Sequence, residues 1–339
     1  MTADLDTFLV ALYTIVDDLY REHFAPRKPR RRGAKPRLSD SEVLTLVLCA
    51  QWSGWSERKL IRYAHRHWRV YFPLLLSQSA TNRRARDLAG VLVHLVPLVE
   101  ACLRTEMPLY EAVDGVPVPL MRICRGVKRR LFGAEANLGK GGSDRQWYYG
   151  CQLVLSVSSS GPITGFIIGP AGTQERWLAE YLFCWRVDPW GIPWTAEDVP
   201  PRQNRFGREP YVGPKGPIWP HDGVGAPSPV LYVADGNFSG ANWIEHWAAD
   251  YGARVFTPES FAGQEKEKQL RRHHSGFRQL VDTVNGHLEH VLHLPFPGAR
   301  TTWGLLTRVA AKLAAFNLGI WLNRLFGRDD YAHATLFDY

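Results

Sequence analysis

Apolar side chains recur at helical spacing near the start of the chain. Leu5, Phe8, Leu9, Leu12, Ile15, Val16 and Leu19 form one stripe over residues 4–22. Ser39 and Glu42 make a capping box, which predicts a helix from there to about residue 51, ended by Gly54. Ser56 caps a second predicted helix to about residue 68. Leu60, Ile61, Ala64 and Trp68 make its apolar side, and Arg58, Lys59, Arg62, His65, Arg66 and Arg69 make the other. Helix, short glycine turn and basic helix give the outline of a helix-turn-helix over 39–69. A third helix is predicted over 81–103, carrying Arg83, Arg84 and Arg86 and kinked or restarted at Pro97.

The pattern changes after residue 108. The apolar run 109–113 reads as a buried strand with Asp114 at its C-terminal end. Residues 147–158 and 163–168 flank a Ser160-Gly161 turn and read as a hairpin. A helix is predicted over 173–184. Residues 185–229 are dense in Pro, Gly and Trp and read as an insertion. A second buried strand, 230–234, is again followed by an acid, Asp235. Helices over 239–251, 276–290 and 301–326 and a short strand at 254–257 complete the chain. This order predicts an α/β fold: an RNase H-like mixed sheet flanked by helices, following an all-helical region. The expected division is 1–107 and 108–339.

Composition agrees with a globular chain. Of 339 residues, 45% are apolar and 22% charged, enough to bury a sizeable core. Lys plus Arg number 41 against 33 Asp plus Glu, a formal charge of +8 that favours a polyanionic partner. The excess is clustered. Residues 27–37 (RKPRRRGAKPR), including Arg30 and Arg31, read as a basic linker or a phosphate-contacting arm. Further clusters contain Arg122, Arg125, Lys128, Arg129 and Arg130, then Arg202, Arg205 and Arg208, then Lys266, Lys268, Arg271 and Arg272. No apolar run approaches a membrane span, and residues 1–10 carry Asp4 and Asp6 without a basic region, so no membrane partner or signal peptide is expected. Cys49, Cys102, Cys124, Cys151 and Cys184 form no Cys-x-x-Cys pair and are expected as reduced thiols in or near the core.

Asp114 and Asp235 both stand where an apolar run meets a turn. If their strands pair in parallel, the two carboxylates come side by side, and their repulsion is relieved by a cation between them. Oxygen ligands of this kind suit Mg²⁺ or Mn²⁺. The plain alternative is that each Asp starts a turn. On the helix over 276–290, Arg278, Asp282, Asn285 and Glu289 share one face, so Asp282 or Glu289 is available as a third acid. Arg278 is placed to hold a phosphate, to orient Asp282 or to pair with it at i,i+4. His273-His274 are expected to face DNA or solvent, and His287, His290 and His293 to lie on the surface.

Several of these motifs, in this order, resemble the DDE-type transposases of bacterial insertion sequences. They are Leu38-Ser39-Asp40-Ser41-Glu42-Val43, Asp114-Gly115-Val116-Pro117-Val118-Pro119, Trp147-Tyr148-Tyr149-Gly150, Asp235-Gly236-Asn237-Phe238 and Arg278-Gln279-Leu280-Val281-Asp282. The resemblance implies a DNA transposase that cuts and joins DNA at terminal inverted repeats by two-metal phosphoryl transfer. Two Mg²⁺ (or Mn²⁺) ions would be held by Asp114, Asp235 and Asp282. It implies a homodimer on DNA, in the bacterial cytoplasm and associated with the nucleoid. DNA contacts are expected from Arg30, Arg31, Arg58, Lys59, Arg62, Arg66, Arg125, Lys128, Arg129, Arg271 and Arg278. The family's third acid is usually Glu, and Asp282 departs from that. The alternatives are Glu289 as the third acid, or a transposase-derived DNA-binding protein without catalysis.

Overall fold

The computed structural model describes residues 3–27, 36–128, 132–133, 135–141, 146–187, 231–264 and 266–338. Arg30 and Arg31 of the linker, Arg129, and 188–229 of the expected insertion lie outside the described residues.

A two-residue strand β1 (Ala3–Asp4) leads into helix α1 (Leu5–Leu19), which starts where the Asp4 carboxylate accepts from the Asp6 and Thr7 amides. Helix α2 (Asp40–Ser53) has both hydrogen bonds of the predicted Ser39/Glu42 capping box and stops at Gly54, whose φ is 59°. Helix α3 (Glu57–His67) is capped by Ser56. The helix predicted over 81–103 is two helices, α4 (Gln78–Asp87) and α5 (Ala89–Leu103), separated at Leu88, while Pro97 lies inside α5. Most of α5 is buried, and that packing outweighs the local cost of an interior proline, about 3 kcal/mol.

The remaining elements are β2 (Glu111–Met121), α6 (Ile123–Lys128), β3 (Asn137–Gly141), β4 (Gln146–Ser158), β5 (Ile163–Pro170), α7 (Glu175–Val187), β6 (Leu231–Ala234), α8 (Ala241–Tyr251), β7 (Arg254–Phe256), α9 (Glu267–His290), α10 (Thr302–Leu325) and β8 (Phe337–Asp338). Strand β8 pairs in parallel with β1. The main sheet runs β5-β4-β2-β6-β7. Strands β2, β4 and β5 are antiparallel, and β6 and β7 are parallel to β2. Strand β3 pairs with the first part of β4 and β5 with the rest. The chain is thus a mixed α/β fold with helices on both faces of the sheet.

Period-two alternation splits the strands between two cores. Ala112, Val116 and Val118 of β2, with Leu153, Leu155 and Val157 of β4, face a large core shared with α1, α2, α5, α9 and α10. Val113 and Val154 face a smaller core with α7, α8, β6 and β7. Helix α10 sits in the large core. By length and composition it is the one helix among the described residues apolar enough to cross a membrane, and 89% of its most apolar window is buried inside the fold. Its buried Asn317 accepts from the Ile163 amide (2.8 Å) and donates to the carbonyls of Val96 (2.9 Å) and Ile163 (2.8 Å). A buried amide so satisfied fixes the helical layer in register with the sheet.

Candidate active site

Asp114 lies within β2, not at its end, because antiparallel pairing with β4 carries the strand on to Met121. The parallel pairing with β6 is shorter and stops at Val113–Ala234. Asp114 and Asp235 are therefore the next residues on two adjoining strands, whose backbones lie about 4.8 Å apart in a sheet. Asp114 shares the face of Ala112 and Val116, under α9. Asp235 also does the ordinary work of a turn aspartate: its Oδ1 accepts from the Asn237 amide at 2.8 Å.

Helix α9 begins nine residues earlier than predicted, at Glu267. Val281, Val284 and Leu288 are buried in the large core and set its rotation. That rotation turns Arg278 and Asn285 towards Asp114; Asp282 lies on the same face but is exposed, with no hydrogen bond or ion pair to Asp114 among the described residues. Asn285 Nδ2 donates to Asp114 Oδ2 at 3.0 Å. Arg278 Nη2 stands 3.6 Å from Asp114 Oδ1, so the arginine faces the strand acid rather than pairing along the helix with Asp282. Burial pushes the Asp114 carboxyl up to about 6; Asp235 and Asp282 add to the rise and Arg278 opposes it. Glu289 is exposed, and no hydrogen bond or ion pair among the described residues joins it to Asp114 or Asp235.

Glu175, the first residue of α7, joins this group and was not anticipated. Burial, then Asp235 and Asp114, push its carboxyl up to about 7, while Asn237 and Arg278 pull it down. Gln152 Nε2 donates to Glu175 Oε1 at 3.1 Å, and the Tyr148 hydroxyl donates to Gln152 Oε1 at 2.6 Å. Gly115 makes the room: a Cβ there would lie 2.2 Å from Glu175 Oε1 and 2.6 Å from Gln152 Nε2. The missing side chain beside Asp114 was the one sequence signal for a group underneath. Three atoms of this region are buried without a hydrogen-bond partner: Glu175 Oε2, Arg278 Nε and Asn285 Oδ1.

The arrangement gathers oxygen donors under mutual repulsion, which a divalent cation relieves. As they stand, no three His, Cys, Asp or Glu side chains among the described residues are grouped closely enough to hold a metal ion.

Arg58, Lys59, Arg62 and Arg66 are all exposed on one side of α3, with Lys59 Nζ 4.5 Å from the Trp55 ring centroid. Arg125 and Lys128 on α6 are exposed. Arg271 is exposed and paired with Glu267 at 2.8 Å. Other expectations are corrected. His274 is buried, with Nε2 3.1 Å from the Phe256 carbonyl oxygen. His287 is half-buried against Phe316, Tyr331 and His333. Cys49 and Cys151 are buried, but Cys102 and Cys124 are exposed.

Comparison with protein-family models, with curated proteins and with solved structures gave no match to this chain.

Proposed function

We propose that the chain is a DDE-type transposase with an RNase H-like core, cutting and joining DNA at the terminal inverted repeats of an insertion sequence. The observation that carries this reading is the β2–β6 register, which ends at Val113–Ala234 and leaves Asp114 and Asp235 as the next residues on adjoining strands, with Arg278 and Asn285 of α9 facing Asp114. The strand order β5-β4-β2-β6-β7, with three antiparallel strands followed by two parallel ones and β3 added beside β4, supports the RNase H-like reading.

Asp114 and Asp235 are the ligands proposed for Mg²⁺ or Mn²⁺, with Asp282 as the third acid and Glu175 ahead of Glu289 as its alternative. The all-oxygen donor set and the buried, unpartnered Glu175 Oε2 fit a hard cation. When bound, a pair of such ions activates water or a DNA 3′-hydroxyl and neutralises charge developing at the phosphorus. The chain's own residues hold the geometry. Asn285 orients the Asp114 carboxylate from above, and Gln152 orients Glu175 from below. The exposed basic side of α3 attracts the phosphate backbone without reading sequence. The protein would act as a homodimer, pairing two DNA ends in the bacterial cytoplasm.

The second reading is a DNA-binding protein derived from such an enzyme and without catalysis. It is favoured by Asp282, which is exposed and one methylene shorter than the glutamate usual in the family. Asp114→Asn and Asp235→Asn decide between them. The first reading expects both to abolish Mg²⁺-dependent cleavage of DNA carrying the terminal repeats while leaving binding to that DNA within about twofold. Wild-type protein that binds the ends and never cuts them favours the second.

A further inference from the structure

Arg278 does not sit on Asp114 as a structural arginine sits on its acid. Other arginine–carboxylate pairs among the described residues are closer, with Arg21–Asp17 at 3.0 Å, Arg186–Glu111 at 2.7 Å and Arg271–Glu267 at 2.8 Å, and Arg324 meets Asp330 through both Nε at 3.0 Å and Nη2 at 2.8 Å. A fork of this kind uses the guanidinium geometry fully. Arg278 instead reaches Asp114 Oδ1 through one nitrogen at 3.6 Å, beyond hydrogen-bond distance, and its buried Nε has no partner. The interaction is a matter of charge more than of fixed geometry. Asp114 is only 14% exposed and Arg278 25%, so that charge acts with limited screening.

The surroundings explain why a cation is needed there. Asp114 feels Asp235 and Asp282, and Glu175 feels Asp114 and Asp235. Arg278 is the cation that faces this group, with Nη2 3.6 Å from Asp114 Oδ1. It makes the one ion pair with Asp114 among the described residues. Asn285 supplies a dipole and no charge.

We propose that Arg278 is a displaceable counter-ion of the acid site, standing in for a divalent cation and giving up Asp114 when the cation binds. Its loose, single-pronged contact lets it withdraw without breaking a hydrogen bond. On withdrawal its charge lies one helical turn from Asp282, at the mouth where a substrate phosphate would approach. Arg278 is thus a positioning residue that competes with metal in the resting protein. The inference rests on the metal-site reading above.

The test is Mn²⁺ binding to the full chain without DNA, by calorimetry or by the Mn²⁺-induced rise in unfolding temperature. Arg278→Gln removes the competitor and leaves the acids, so Mn²⁺ is expected to bind about tenfold more tightly than to wild type, on the order of 1.4 kcal/mol. Its metal-free unfolding temperature is expected to fall, and the Mn²⁺-induced rise to grow. Arg278→Lys keeps the charge and is expected to stay within about twofold of wild type. If the glutamine variant does not fold, Arg278→Met replaces it. Unchanged or weaker Mn²⁺ binding by a folded Gln or Met variant overturns the counter-ion role. Asp114→Asn separates this failure from failure of the site itself. If that variant binds Mn²⁺ as wild type does, the metal-site reading is the part that is wrong.

Discussion

Replacing Asp114 should remove a pH-dependent cost from the metal-free protein. The Asp114 carboxyl is raised from 3.8 to about 6. The folded state therefore holds its proton more tightly than the unfolded chain does. Below about pH 4 both states are protonated and Asp114 costs nothing. Between about pH 4 and 6 the unfolded chain ionises first, and stability falls as pH rises. Above about pH 6 the full cost is present, roughly 3 kcal/mol for a shift of this size. Partial exposure and coupling to Glu175 make about 2 kcal/mol a fairer expectation. Asp114→Asn has no such titration, though it also alters the contacts with Arg278 and Asn285 by an amount that does not depend on pH in this range. The assay is urea unfolding of wild type and variant in EDTA from pH 4 to 8. The stability of the variant relative to wild type should rise by about 2 kcal/mol between pH 4 and 7 and then level off. A difference that is flat, or that falls with pH, would refute the claim that Asp114 is a buried acid among acids. Glu175→Gln should show the same sign in a higher window, between 4.5 and about 7, and the double variant should gain less than the sum.

Two further outcomes follow from the geometry. Gly115→Ala places a methyl group 2.2 Å from Glu175 Oε1 and 2.6 Å from Gln152 Nε2, so both side chains must move and their bond is lost; unfolding should show a loss of about 1–3 kcal/mol at pH 7, and combining it with Glu175→Ala should remove only part of the effect, because Gln152 still meets the added methyl. Replacing Arg58, Arg62 and Arg66 together with Ala should weaken DNA binding similarly on repeat and random sequences and lower the slope of log affinity against log salt by about 3. A change confined to the repeat sequence would make α3 a base reader instead.

The two strand acids were legible because each follows a short apolar run, and the parallel pairing that joins them was implied by the order of elements. The α9 face was legible from its i, i+4, i+7 spacing. Glu175 was not, because nothing in the local sequence marks it. Its place comes from the fold, which brings the start of α7 beneath Gly115, 60 residues away in the chain. Strand β3 was missed for a related reason: Asn137-Leu138-Gly139-Lys140-Gly141 has two glycines and no alternation, and it is a strand because β4 offers it a partner. The first half of α9 carries Lys268, Arg271, Arg272 and His273 with little apolar spacing, so hydrophobic periodicity does not mark it, although Glu267-Lys268-Gln269-Leu270-Arg271-Arg272 are good helix formers. His274 shows the same limit, since a polar pair of histidines gives no sign that one of them is buried against β7.

The central claim is that Asp114 and Asp235 together hold divalent cations. Crystals of the protein soaked in Mn²⁺ and measured for anomalous scattering test it without reference to activity. The expected result is Mn²⁺ peaks in contact with both carboxylates, a pair of them about 3.5–4 Å apart, with Arg278 drawn away from Asp114. A soaked crystal that binds Mn²⁺ elsewhere, with Arg278 still facing Asp114 and no peak between the two acids, would contradict it.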